Sequence, residues 1–160
     1  MEKPKSLRTA LQAALPEFRN SPDRLAMWIE DGAVRTRQTG THGFAFRYPL
    51  SVYFEDASTD VAIIVHAINR WLGVNQPDLL AGGSGDSFGF DSKINDNKVA
   101  DLLFTINLTE NVAITPNEDG SWDIEYLPEP DPLFSDGEPV APNDDAQPRS
   151  GVKTIDADDG

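Results

Sequence analysis

From Phe44 to Phe54 every second residue is large and apolar: Phe44, Phe46, Tyr48, Leu50, Val52 and Phe54. Arg47, Ser51, Tyr53 and Glu55 fall on the other parity. A period of two puts each set on its own side of an extended chain, so this stretch predicts a long strand with one buried face. Such a strand needs partners along its edges and a second layer over its apolar side, which confines the chain to a layered, sheet-containing fold. Pro49 has no N–H for the ladder, so the strand either lies at a sheet edge there or carries a bulge.

Two stretches can supply the second layer. Ser6 to Phe18 sets Leu7, Leu11 and Leu15 on one helical face with Ala10 and Ala14 beside them. Pro16 sits near its end, and the turn cluster Asn20-Ser21-Pro22-Asp23 closes it. Val61 to Leu72 carries a wide apolar stripe of Val61, Ile64, Val65, Ile68, Trp71 and Leu72. Thr59 or Asp60 is placed to cap this second helix and Gly73 to stop it. Leu25 to Ile29 and Ala33 to Arg37 flank Asp31-Gly32, the pattern of a tight hairpin. Further strands are expected over Phe88 to Ile94 and from Leu102 to Leu108. A second hairpin joins Val112–Thr115 to Trp122–Tyr126 around Asp119-Gly120. The sum predicts an α+β domain, an antiparallel or mixed sheet with two helices packed on one face.

After Tyr126 the periodicity stops. Pro128, Pro130, Pro132, Pro139, Pro142 and Pro148 are half of the chain's 12 prolines, and acids alternate with them. Such a segment buries too little apolar surface to offset its ordering entropy, so residues 128–160 are expected to be a disordered or extended acidic tail on a folded domain of residues 3–127. The net charge of −14 divides evenly: residues 1–127 hold 18 acids against 11 bases, and residues 128–160 hold 9 against 2. That balance repels phosphate backbones and anionic lipid, which argues against nucleic-acid and membrane partners. The chain has no cysteine, which excludes disulfides and thiolate chemistry and fits a reducing cytoplasm. Met1-Glu2-Lys3-Pro4-Lys5 runs directly into an amphipathic segment, so no signal peptide is expected, and no apolar run approaches the roughly 20 residues that span a bilayer.

The chemistry-bearing residues do not gather. His42 and His66 lack a second histidine or a carboxylate at metal-ligand spacing. Gly82-Gly83-Ser84-Gly85-Asp86 lacks the lysine and hydroxyl of a phosphate loop and reads as a connection. The carboxylates and amides between Asp91 and Asp101 fail the calcium-loop register, because Lys93 falls on a ligand position, and Asn95-Asp96-Asn97 reads as a turn. No catalytic residue, cofactor or metal site is therefore expected, and the chain is not expected to be an enzyme. Trp28, Trp71 and Trp122 sit beside turns or on apolar stripes and are expected in the core, with interface use as the alternative. Arg35, Arg37, Arg47 and Tyr53 fall on the polar side of their strands and are candidate subunit contacts. Paired head-to-tail with acidic segments of another copy, they would make the kind of contact that closes into a ring.

Several strings share order and spacing with a known family. They are Lys3-Pro4-Lys5-Ser6-Leu7-Arg8, Ser21-Pro22-Asp23-Arg24-Leu25, Phe44-Ala45-Phe46-Arg47-Tyr48 and Asp56-Ala57-Ser58-Thr59-Asp60. The most specific is Trp71-Leu72-Gly73-Val74-Asn75-Gln76-Pro77-Asp78-Leu79-Leu80, followed by Phe88-Gly89-Phe90-Asp91, Leu108-Thr109-Glu110 and Leu127-Pro128-Glu129-Pro130. Over about residues 3–130 the chain resembles the tail completion protein R family of P2-like contractile-tailed phages. The resemblance implies a tail-terminator-like fold and a virion protein made in the host cytoplasm. It also implies a place at the head-proximal end of the tail, in a ring of six copies contacting tail tube or sheath and neck proteins. It transfers no catalytic residue. The acidic extension goes beyond the family pattern and reads either as a solubilising tail or as a strap docking onto a neck or neighbouring subunit, with Leu133-Phe134 as anchor and Val152 or Ile155 as a second. The gene's home is a phage, a prophage or a phage-derived, tail-like bacteriocin. The alternative from composition is a small acidic protein inhibitor or nucleic-acid mimic, whose binding to a basic partner would weaken with salt.

Overall fold

The structure, a computed structural model, describes residues 1–36, 42–83, 85–96 and 98–129. Its elements run α1 (Lys3–Ala14), α2 (Pro16–Asn20), β1 (Leu25–Ile29), β2 (Ala33–Thr36), β3 (Phe44–Ala57), α3 (Val61–Asn75), β4 (Gly89–Ile94), β5 (Ala100–Pro116) and β6 (Trp122–Leu127). The fold is α+β with a fully antiparallel sheet, and no described helix is long and apolar enough to cross a membrane.

The alternating stretch seen in the sequence is the centre of the sheet. β3 and β5 pair along nearly their whole length, from Phe44 opposite Val112 to Ala57 opposite Ala100. Each outer edge of this two-stranded spine carries two short strands end to end. β1 and β2 line β3, while β4 and β6 line β5.

Leu25–Ile29 and Ala33–Thr36 do not form the expected hairpin. Both pair with β3, Ile29 opposite Leu50 and Ala33 opposite Arg47, so they are one edge strand broken by a bulge. The bulge carries one residue more than the facing stretch of β3, which reverses the parity of side chains between β1 and β2. Asp31, at φ 55, takes the left-handed conformation the kink requires. The break falls beside Pro49, which can donate no ladder hydrogen bond. The second expected hairpin is present: Pro116 pairs with Trp122, and Gly120 sits at φ 86 in the turn.

The helices differ from expectation at their ends. α1 starts at Lys3 with Pro4 in its first turn, where the missing N–H costs nothing. The single helix expected over residues 6–18 breaks at Leu15, because the residue before a proline is pushed out of the helical region, and α2 restarts at Pro16. α3 is capped by Asp60, whose Oδ1 accepts from the Ala62 amide at 2.8 Å. Gly73 does not stop it. Gly73 is buried inside the helix, which runs on until Gln76 meets Pro77.

Leu7, Leu11, Leu15 and Phe18 from α1 and α2 and Ile64, Ile68, Trp71 and Leu72 from α3 pack on one side of the sheet. They meet Tyr48, Leu50, Val52 and Phe54 of β3 and Leu102, Phe104, Ile106 and Leu108 of β5. Trp71 alone of the tryptophans is in this core, its Nε1 donating to Ser6 Oγ at 3.0 Å.

Glu17 joins α2 to the turn before α3. Its carboxylate accepts from Arg24 (2.9 Å), the Thr59 hydroxyl (2.6 Å) and the amides of Ser58 and Thr59 (3.0 and 2.9 Å). Burial opposes the charged form, but the Thr59 hydroxyl, the two amides and Arg24 outweigh it and hold the carboxyl down at about 2. A folded value below the ordinary 4.5 means that this stability is complete above pH 4.5 and disappears as pH falls toward 2. Urea midpoints taken from pH 6 to pH 2 should fall in that window, and Glu17→Gln should flatten the fall. An unchanged profile in that variant would remove the assignment.

Candidate assembly interface

The core cluster ends at Tyr48 on β3 and Leu108 on β5, but the sheet continues. β2, the first residues of β3, the last residues of β5, and β6 form a four-stranded arm reaching past the helices. Near the tip of the arm, just before β3, His42 sits edge-on to Trp122 at the start of β6 with ring centroids 5.0 Å apart.

Pairing register fixes which side chains share a face of the arm. Val34, Phe46, Ile114, Ile124, Phe44 and Trp122 are all on the helix side. No described helix covers its outer strands: Val34 is 62% exposed, Trp122 51% and Ile124 65%. Apolar groups clustered beyond a core in this way are what interaction sites present. On the opposite, open side lie Arg35 and Arg47 near the β2 edge and Asp123 and Glu125 on β6. One margin of the open side is basic and the other acidic.

The boundary between arm and helical layer is a network of buried polar groups. β4 pairs with β5 only as far as Thr105 and β6 pairs with it only from Asn111 onward, which leaves a gap in that edge. Gln76 fills the gap. Its Oε1 accepts from the Thr109 amide (3.0 Å) and from Lys3 Nζ (2.8 Å), and its Nε2 donates to Thr109 Oγ1 (3.1 Å) and Asp78 (2.6 Å). Lys3 Nζ also donates to Glu129 at 2.6 Å. Glu110 is buried among the Glu2 amide (2.7 Å), the Lys3 amide (3.3 Å) and the Tyr48 hydroxyl. Burial first, and then the bond to Glu110, push the Tyr48 hydroxyl well above its usual range. α1 has no side-chain cap of its own, so Glu110 caps it from across the sheet.

Of the contact residues expected from sequence, Arg35 and Arg47 are exposed and brought together diagonally on the open side of the arm. Tyr53 shares that side but sits in the half backed by helices, about 20 Å along β3 from Arg47, beside Trp28 at 6.4 Å between ring centroids. Arg37, Leu133, Phe134, Val152 and Ile155 lie outside the described residues. Trp28, at 38% exposed, and Trp122 depart from the core expectation. The sequence reading missed Val34 and Ile124. Their signal was present as apolar residues alternating with charge in β2 and β6, but alternation alone does not say whether a layer covers them.

A groove of about 490 Å³ between β4 and the start of α3 is lined by Val61, Phe90, Ile94 and Leu102. Its carboxylates already serve the backbone: Asp60 caps α3, and Asp96 accepts from the amides of Lys98 and Val99 at 2.7 and 3.0 Å. Among the described residues no cluster of three His, Cys, Asp or Glu could hold a metal ion.

Strand edges left unpaired among the described residues, with apolar residues on one side and divided charge on the other, are the features of a subunit that works through contacts with other proteins. The chain belongs to the P2 phage tail completion protein R (GpR) family, whose pattern matches residues 1–130. It is 30% identical over 134 residues to the tail completion protein R of Escherichia phage P2, covering 82% of this chain and 86% of that one. No solved structure matches. Membership makes this a structural component of a bacteriophage tail, active in tail completion and associated with other tail proteins.

Proposed function

We propose that copies of this chain cap the head-proximal end of a contractile tail, block further addition of tube or sheath subunits, and offer neck proteins a new surface. A ring of six, in keeping with a tail-terminator-like role, is the arrangement we propose for the cap. The observation that carries this reading is the arm. It projects beyond the core and leaves both of its edge strands unpaired among the described residues. A subunit that must contact two neighbours at once needs two different contact surfaces, and the arm has one on each margin. Arg35 and Arg47, joined by Arg37, belong to the contact between copies, while Tyr53 with Trp28 gives a separate aromatic surface for a tail or neck protein.

Residues 3–127 form the assembling domain in this reading, and residues 128–160 act as an acidic strap with Leu133 and Phe134 as its anchor on a neighbouring subunit. Glu129 fixes the point of departure beside Lys3.

Electron microscopy of particles from cells lacking the gene tests the role. Overlong or irregular tails separated from filled heads are expected. Normal, infectious particles would overturn tail completion and bring forward an acidic inhibitor.

A further inference from the structure

A free edge strand presents N–H and C=O groups that template pairing with another strand, and folded proteins blunt such edges with lysine, proline or a covering group. Where helices back the sheet, both edges are blunted. Arg8 donates to the Leu25 carbonyl at 2.8 Å at the start of β1, and β4 carries Lys93. Among the described residues the margins of the arm carry charges of opposite sign, Arg35 on β2 against Asp123 and Glu125 on β6, which suit pairing with each other rather than block it. β2 is exposed throughout and β6 nearly so, and neither contains lysine or proline.

The two margins match one another in three independent respects. The first is direction. Across the order β2, β3, β5, β6 every neighbour is antiparallel, so β6 runs opposite to β2. A second copy set beside the first with its arm pointing the same way presents β2 antiparallel to β6. The second is the helix side, where Val34 on one margin answers Trp122 and Ile124 on the other. The third is the open side, where Arg35, backed by Arg47, answers Asp123 and Glu125. Both strands alternate apolar and charged residues, so one register satisfies both sides at once.

We infer that β2 of one copy pairs with β6 of the next, joining the arms into one continuous antiparallel sheet. The occupant of each free edge is a second copy of this chain. The contact is heterologous, because β2 and β6 are different surfaces, and it repeats until rotation closes it. A closed ring then leaves no arm edge unpaired. This inference deepens the proposed ring and rests on it.

The absence of cysteine makes the contact testable by cross-linking. Within one chain β2 and β6 are separated by β3 and β5, about 14 Å at the usual strand spacing, beyond the roughly 7 Å between Cα atoms that a disulfide bridges. A bond between cysteines in these strands must therefore join two copies. The variants are Val34→Cys with Ile124→Cys, and Val34→Cys with Trp122→Cys, each replacing the natural chain in assembled tails that are then mildly oxidised. On non-reducing gels at least one pair should give a ladder of linked chains extending past the dimer, while each single variant stops at the dimer. A parallel count of copies per tail by quantitative mass spectrometry separates the failures. Several copies per tail with no ladder from either pair overturns the edge pairing and leaves the ring standing. A single copy per tail overturns the ring and this contact together. In the purified full-length chain Arg35→Glu should lower the oligomer fraction several-fold and Asp123→Arg in the same chain should restore it; failure of both exchanges to move that fraction also counts against the pairing.

Discussion

Glu110→Ala is expected to destabilise the folded chain by about 3 kcal/mol, read from the midpoint of chemical denaturation at neutral pH. Alanine would strand three donors at once: the amides of Glu2 and Lys3 and the buried hydroxyl of Tyr48. Each buried donor left without a partner costs about 1–3 kcal/mol, partly relieved where water can reach the frayed start of α1. Glu110→Gln keeps the shape and one acceptor oxygen, so its loss should be smaller. A midpoint in Glu110→Ala equivalent to the natural chain would show that the start of α1 is held by something else. The arm should suffer along with the helix, since Tyr48 and Glu110 stand where the helical layer ends.

Phe54→Ala is the second large loss, about 3–5 kcal/mol. The ring is fully buried, edge-on to Phe18 at 4.8 Å and to Phe104 at 5.8 Å. It ties α2, β3 and β5 together, and neither neighbour can collapse far into the space it would leave. Phe54→Leu retains most of the buried carbon and should cost well under half as much. Equal losses for leucine and alanine would mean that the shape and edge-on contacts of the ring, rather than its buried carbon, hold this site together.

Much of this architecture could be read from periodicity. The alternation in Phe44–Phe54 marked the long strand and its buried face, and the stripes at Leu7, Leu11, Leu15 and Ile64, Ile68 marked the helical layer. The bulge at Asp31-Gly32 could not be told from a hairpin. A tight turn there would also have put Ile29 and Val34 on one face, so the apolar pattern suits both. What decides is the length of β3, long enough to take both short strands along one edge. The role of Gln76 was hidden for a different reason. Asn75-Gln76-Pro77 stood out as a family string, but its task depends on Thr109 and Lys3, far away in sequence. Exposure of Val34 and Ile124 was likewise beyond reach, because it depends on where the helices stop.

The spine also sets the order in which the chain can acquire structure. β3 finds its main partner only when Ala100–Pro116 exists, and every other strand pairs with one of these two. Contacts so distant in sequence carry a high loop-closure cost and form slowly. While the chain is being synthesised, α1, β1, β2 and β3 have left the ribosome before the strand that completes their sheet. The apolar faces of both layers are then open to solvent together. A nascent chain of this kind exposes the β2 edge before it has a core, and the pairing proposed between β2 and β6 would have to wait for the last third of the domain.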